Sequence, residues 1–335
     1  DGPVKLVASD GSITINDGAS TTALHGDDDI GVLADGAGNI LLDARGATSD
    51  VTLNANLQTW ANHTVAPAAD ANPGSGHITV LAGDDVLQKA NILTDGTGGA
   101  GTILVVAQNQ TSDNTITVGG STQADGLIMD AGTSTTSEEG SIRLVADNES
   151  DVVLGRVTTG TTDGAVSLLA ERDILDGNSG DLNLTTPTLR MWADATVAMS
   201  TDRHFTQTVT SDESTHTQDN VGTIGNAATS GADTANVNAI DTEVATLAAH
   251  AADGIYLLEK DDVAIDAVGH ITVQQVNFNS TPDPVSDLSL ADLVTTDDGS
   301  VKLVASDGSI TIHDGASTAL HGDDDIGVLA DGAGN

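Results

Sequence analysis

The sequence predicts an all-β chain folded as a right-handed parallel β-helix, a solenoid in which each coil stacks on the one before. Three observations carry this. Runs of Val, Ile, Leu and Thr, four to six residues long, are separated by Asp-Gly, Asn-Ser-Gly and Gly-Gly turns. Aromatic residues are 1% of the chain while hydrophobic residues are 38%, so the core must be built from Val, Ile, Leu and Ala. Thin aliphatic layers suit a narrow stacked sheet better than a wide globular interior, which takes aromatic anchors. Finally, the chain repeats itself. Residues 298–335, DGSVKLVASDGSITIHDGASTALHGDDDIGVLADGAGN, restate residues 1–39 with one Thr fewer, Ser300 for Pro3 and His313 for Asn16. Repetition on this scale marks a solenoid or array. Residues 1–297 are expected to be one long unit, and residues 298–335 the start of the next near-identical one.

A shorter pattern lies inside the unit: Gly, any residue, an apolar run often ending in Ala, a polar turn, then a second short strand. It begins at Gly38 (GNILLDA), Gly76 (GHITVLAGDDVL), Gly101 (GTILVVA), Gly140 (GSIRLVADNESDVVL), Gly164 (GAVSLLAERDIL), Gly269 (GHITV) and Gly299 (GSVKLVASDGSITI). In Val4-Lys5-Leu6 and Ile142-Arg143-Leu144 the charged residue points opposite to its apolar neighbours, as in a strand. Gly, Asn and Asp supply positive φ at the corners. Gly76 to Gly101 is 25 residues and Gly140 to Gly164 is 24. At about 24 residues a coil, one unit would make roughly 12 coils, on the order of 60 Å long.

Residues 199–250 differ, being rich in Thr, Ser, Asn and Asp, and are expected to be irregular or protruding. Within them Asp241–Ala249 is read as a strand in preference to a short helix. Residues 61–75 read as a loop, and Pro282 and Pro284 as a turn before Leu288.

The phrases GNILLDARG, GHITVLAGDDVLQ, GSIRLVADNESDVVLG, GAVSLLAERDILDG and TEVATLAAHAADGIYLLEKDDVAI resemble the filamentous-haemagglutinin-like large exoproteins of bacteria. They are also similar to the giant repeat-built bacterial surface proteins. The likeness covers residues 1–58, 76–198 and 241–335. It implies a right-handed parallel β-helix, secretion, a rod-like stalk, and adhesion or matrix roles. It brings no catalytic motif.

Charge narrows the partners. The chain has 50 acidic residues against 10 Lys plus Arg, a net charge of -40. Nucleic acid requires a basic footprint and is not an expected partner. Self-repulsion at this density calls for compensating counterions. No cysteine is present, so neither a disulfide nor a thiolate metal site can form. No run of 18 apolar residues reads as a membrane span. The expected partners are adjacent repeats of the same chain, with lateral self-association or a cell-surface glycan as further candidates.

The densest acidic cluster is Asp27-Asp28-Asp29, repeated as Asp323-Asp324-Asp325. Ca²⁺ takes six to eight oxygens, and stacked Asp-rich turns can supply them, so these six residues are the candidate Ca²⁺ ligands. Neither the glycine-rich Ca²⁺ β-roll signature nor an EF-hand loop occurs. The nine histidines form no HxH or HxxxH pair and read as polar corner residues. GxSxG, the Walker loop and a strand-linked GxGxxG are missing, and the sugar-stacking rings of a polysaccharide-cleaving cleft are nearly so. The expected function is a structural segment of a long extracellular or cell-surface fibre. The alternative is an adhesin module acting through residues 199–250 or the acidic face. A β-helical carbohydrate-active enzyme comes third.

Overall fold

The computed structural model describes residues 2–17, 29–60, 76–95, 101–110, 116–118, 121–123, 125–160, 162–194, 222–226, 238–315, 326–330 and 334. Its parallel strands wrap 327° round one axis as a right-handed β-helix, and no helix occurs among the described residues. Each coil has three faces.

Face A stacks Val4–Ala8, Ile40–Ala44, Ile78–Ala82, Ile103–Ala107, Ile142–Ala146, Ala165–Ala170, residues 188–193 and residues 246–251. Face B runs from Ile13–Ile15 through Val51–Leu53, Val86–Gln88, Gly126–Met129, Asp151–Leu154 and Ile174–Asp176 to Thr223–Ile224. Face C runs from Ile30–Asp35 through Asn56–Trp60, Ile92–Asp95, Ser134–Ser137 and Arg156–Thr159 to residues 184–186 and 240–244.

Alternation and stacking together build the core. Ile40, Ile78, Ile103 and Ile142 lie in register and point inward, followed by Val166, Leu189 and Leu247. Ala44, Ala82, Ala107, Ala146, Ala170 and Ala193 form a second inward ladder at the A–B corner, each fully buried. The small side chain lets the chain turn there, which is why the apolar runs end in Ala. Glycine marks the C–A corner for a related reason: a Cβ on Gly76 would collide with the carbonyl of Gly38.

The short coils read from the sequence are present, Ile103 following Ile78 by 25 residues and Val166 following Ile142 by 24, but other coils are longer, so the coils are fewer than predicted. Ile40 sits 36 residues after its ladder partner Val4, Ile78 follows Ile40 by 38, and Ile142 follows Ile103 by 39. Insertions at the corners lengthen the coil without disturbing the stack. Asp241–Ala249 lies within the strand Ile240–Ala251, as read from the sequence. Much of residues 199–250 and all of 61–75 lie outside the described residues.

Residues 266–292 depart most from the sequence reading. Thr272–Val276 is not a coil strand; it pairs antiparallel with Pro282–Ser286. The prolines lie in that second strand, and the turn is at Asn277–Thr281, closed by Asn277 N–H to Thr281 O at 2.9 Å. This hairpin is a strap lying lengthwise on the outside of face A. Val268 and Leu290 bridge at its root. Arg190 Nε donates to Leu288 O at 3.1 Å, Gln274 N–H to Thr102 Oγ1 at 2.8 Å and Val276 N–H to Thr79 Oγ1 at 2.9 Å. At the tip Asn39 Nδ2 donates to Ser280 O at 3.3 Å, and Lys5 Nζ to Phe278 O at 2.6 Å. Beneath the strap lies a second apolar layer, including Leu41, Leu81, Leu104, Val106, Val145, Leu169 and Trp192.

The eighth coil changes the frame. Its face A strand is followed by two strands: Val263–Ile265 pairs with residues 246–247 and Leu293–Thr295 with 249–251, the strap looping out between them. Across the coil, Thr223–Ile224 of face B and residues 240–242 of face C are both covered by one strand, Gly254–Glu259. A flat face becomes a corner, and a corner becomes a flat face. Ser300–Ala305, Ile310–Ile312 and Val328–Ala330 then stack on these three strands in turn. The second copy of the repeated sequence therefore has its strands in the same chain order as the first, but its leading strand lies opposite face A. Between copies the chain advances eight coils and a half turn.

Candidate functional site

Among the described residues, polar side chains cluster at the A–B corner and at the strap interface.

At the A–B corner the residue entering a face B strand is polar in every coil but the fourth, where it is Gly126, and it caps the next coil. Ser12 Oγ accepts Asp50 N–H at 3.0 Å, and Asp50 Oδ1 accepts Asp85 N–H at 3.4 Å. Asp85 Oδ1 accepts Gly126 N–H at 2.7 Å. Further along, Asp151 Oδ1 accepts Asp173 N–H at 3.1 Å and Asp173 Oδ1 accepts Thr223 N–H at 2.8 Å. A side-chain oxygen thus supplies the acceptor for each of these five N–H groups, the Ser12 hydroxyl in the first case and a carboxylate in the other four.

Asp50, Asp84 and Asp85 bring carboxylate oxygens within 4.8 Å of one another, and Asp125 adds charge beside them. Burial, with Asp84, Asp50 and Asp125 adding repulsion, pushes the Asp85 carboxyl up to about 7. Downstream, Arg172 neutralises the ladder by gripping Asp151 through two contacts of 2.6 Å. Asp50, Asp84 and Asp85 are the described residues placed to hold a cation. They fall short of a Ca²⁺ shell by themselves, since one Asp85 oxygen is already committed to Gly126.

The residues singled out from sequence fare differently. Asp27, Asp28, Asp323, Asp324 and Asp325 lie outside the described residues. Asp29 is exposed and stands apart from the Asp50–Asp84–Asp85 corner, beside Asn54 and Lys89. Asp84-Asp85 reads from sequence as an acidic turn pair, but Asp50 escapes a local motif search because it lies 35 residues from Asp85. The usable signal is an Asp immediately before a short apolar strand: Asp50-Val51, Asp85-Val86, Asp151-Val152 and Asp173-Ile174.

Under the strap, Arg143 and Arg190 point outward from face A yet are fully buried, as is Asp287 between them. Arg143 Nη2 lies 2.9 Å from Asp287 Oδ1, and Arg143 Nε donates to both carboxylate oxygens. Although burial raises it, the charges of Arg143 and Arg190 win and hold the Asp287 carboxyl below the usual range. Desolvation lowers the Arg190 guanidinium. Of the histidines, His77 accepts Thr102 N–H at 3.1 Å and is pushed down to about 4 by burial. His250 packs edge-on to Trp192 at 4.9 Å.

Fold and ladders together define a β-helical solenoid with carboxylate-capped corners. No family model, curated protein or solved structure matches the chain.

Proposed function

We propose that the chain is a structural segment of a long extracellular or cell-surface fibre built from tandem β-helical units. The observation that carries this is the pairing of the repeated coil. In its first copy, Val4–Ala8 and Ile13–Ile15 pair on their downstream edge with Ile40–Ala44 and Val51–Leu53. In its second copy, Ser300–Ala305 and Ile310–Ile312 pair on their upstream edge with Gly254–Glu259 and Val263–Ile265. Between them the two copies supply partners for both edges of one coil. A next unit would add its own second coil below residues 300–330, covering Ile312, 57% exposed, and Val328, 40% exposed. An uncovered strand edge templates pairing, and continuation of the stack removes it.

The corner carboxylates support a structural role, because Asp50, Asp85, Asp151 and Asp173 are spent on backbone N–H groups. In such an array each unit contributes eight and a half coils, roughly 40 Å at one strand spacing per coil. Successive straps then face opposite sides, and the true axial period is two units, about 80 Å. Electron microscopy of a chain carrying four units tests this. A smooth rod with that period is expected. Beads on linkers, or straps all on one side, would overturn the reading.

A further inference from the structure

The few positive charges of this chain are unevenly used. Lys5 donates to the Phe278 carbonyl, Arg45 pairs with Asp43, Arg143 with Asp287, Arg172 with Asp151 and Lys260 with Glu243. Arg190 donates to Leu288 O, and Lys302 is also engaged. Among the described residues this leaves two cationic side chains with neither an ion pair nor a hydrogen bond, Lys89 and Arg156. Both are exposed, and both line the same cleft at the B–C corner.

The cleft consists of two adjoining cavities of about 430 and 240 Å³ that share Asn91, Gly132 and Thr133. It follows the fibre axis, because its walls are ladder positions. Asn56, Asn91, Ser134 and Arg156 succeed one another at the start of face C. Asn56 Oδ1 accepts Asn91 N–H at 2.8 Å, and Asn91 Oδ1 accepts Ser134 N–H at 2.8 Å and Ser134 Oγ–H at 3.1 Å. The Asn91 oxygen is thus committed inward, and its amide N–H groups are left to donate. Lys89, Asn91 and Arg156 together present donors to the cleft, with the hydroxyls of Thr136 and Thr158 beside them. Lys89 belongs to the third coil and Arg156 to the fifth, about 10 Å apart along the axis. Asp29 and Asp181 stand at the two ends and confine the positive stretch to the middle.

We infer that this cleft binds a linear anionic polysaccharide, its chain along the fibre axis and its acidic groups on Lys89 and Arg156. Recognition runs through charge-assisted hydrogen bonds, since no aromatic ring among the described residues lines the cleft for stacking. Hydroxyls and amides along the walls suit a ligand dense in hydroxyl groups. The rod's net charge of -40 repels any polyanion at long range. Screening shrinks that repulsion to about 8 Å at physiological salt and leaves the short contacts. The inference rests on the fold alone; its failure would leave the fibre reading untouched.

The test is titration calorimetry of the 335-residue chain with a hexamer of polygalacturonate, in physiological salt with chelator so that no divalent cation bridges carboxylates. Saturable binding is expected, weakened at least about tenfold by the double change Lys89→Gln/Arg156→Gln and retained by Lys89→Arg/Arg156→Lys. Absence of saturable binding, or equal binding by the Gln variant, would overturn the inference. So would equal binding of polyglutamate, which would mean that any polyanion satisfies two free cations.

Discussion

Asp287 holds Arg143 across 144 residues of sequence, at 2.9–3.2 Å and with both side chains fully buried. One carboxylate on the strap thereby fixes the strap to the middle of the coil stack and neutralises a guanidinium that face A turns outward. Arg190, two coils further on, shares its field.

Removing that carboxylate leaves two buried guanidinium groups unbalanced. Asp287→Ala is expected to cost about 3–5 kcal/mol, the usual penalty for breaking a buried pair from one side. Hydrogen exchange should then accelerate first in residues 266–292. Replacing all three charges by apolar side chains, Arg143→Met/Arg190→Met/Asp287→Leu, should restore stability to near the parent level. A parent-like melting temperature for Asp287→Ala would show that the pair does not clamp the strap.

The outward row beneath the strap is a true core. Leu104→Ala is expected to cost about 2–5 kcal/mol, the range for a buried leucine, although its side chain lies outside the β-helix. Replacing residues 267–291 by a short linker should expose the row and raise binding of a hydrophobic dye. A cost below about 0.5 kcal/mol for Leu104→Ala would place that row in solvent.

Acid should stabilise the A–B corner. The Asp85 carboxyl titrates at about 7 in the folded chain, above its ordinary value of 3.8. The folded state binds the extra proton, so its contribution is complete below about 4 and is lost as pH rises towards 7. Asp241, raised to about 6, acts in the same sense. His77, lowered to about 4, acts against them, because its stabilisation fades as pH falls from its ordinary value of 6.5 towards 4. Asp85→Asn keeps the acceptor for Gly126 and should flatten the dependence between pH 4 and 7. An unchanged pH profile of the melting temperature in that variant would remove Asp85 as the source.

Close approach at the C–A corner is a steric limit. Gly76→Ala places a methyl against the Gly38 carbonyl, backbone that cannot give way without breaking the stack. A loss of about 1–3 kcal/mol is expected by calorimetry. Gly132→Ser, where nothing lies near the added Cβ but φ is 85°, should cost less, about 1 kcal/mol from backbone strain alone.

The inner ladders were legible because alternation is local: ILLDA, ITVLA and ILVVA state their inward residues outright. Their outward residues carried a further message. Leu41, Leu81, Leu104 and Val106 make these runs apolar on both sides, the pattern of strands covered on both faces. The cover itself was hidden, because GHITV at Gly269 has the same local form as a coil start, and only long-range register separates hairpin from coil. Arg143 does point opposite to its apolar neighbours, as read from the sequence. What only long-range register reveals is that this outward side lies under the strap, where the side chain is fully buried. The coil count failed because the 24-residue spacing came from the shortest coils, while insertions at corners leave no periodic trace. Asp84-Asp85 is legible as an acidic turn pair, but Asp50 was not legible as its partner, because stacking, and not sequence adjacency, brings it there.

The half-turn between copies has a mechanical consequence. A strap tied along one side of a rod makes that side stiffer, and a fibre with every strap on one flank would bow under load like a strip laminated from two materials. In the proposed fibre consecutive units would be reversed, so each unit's tendency to bow would oppose its neighbour's. The bending would cancel over a pair of units, and a fibre assembled from asymmetric pieces would stay straight.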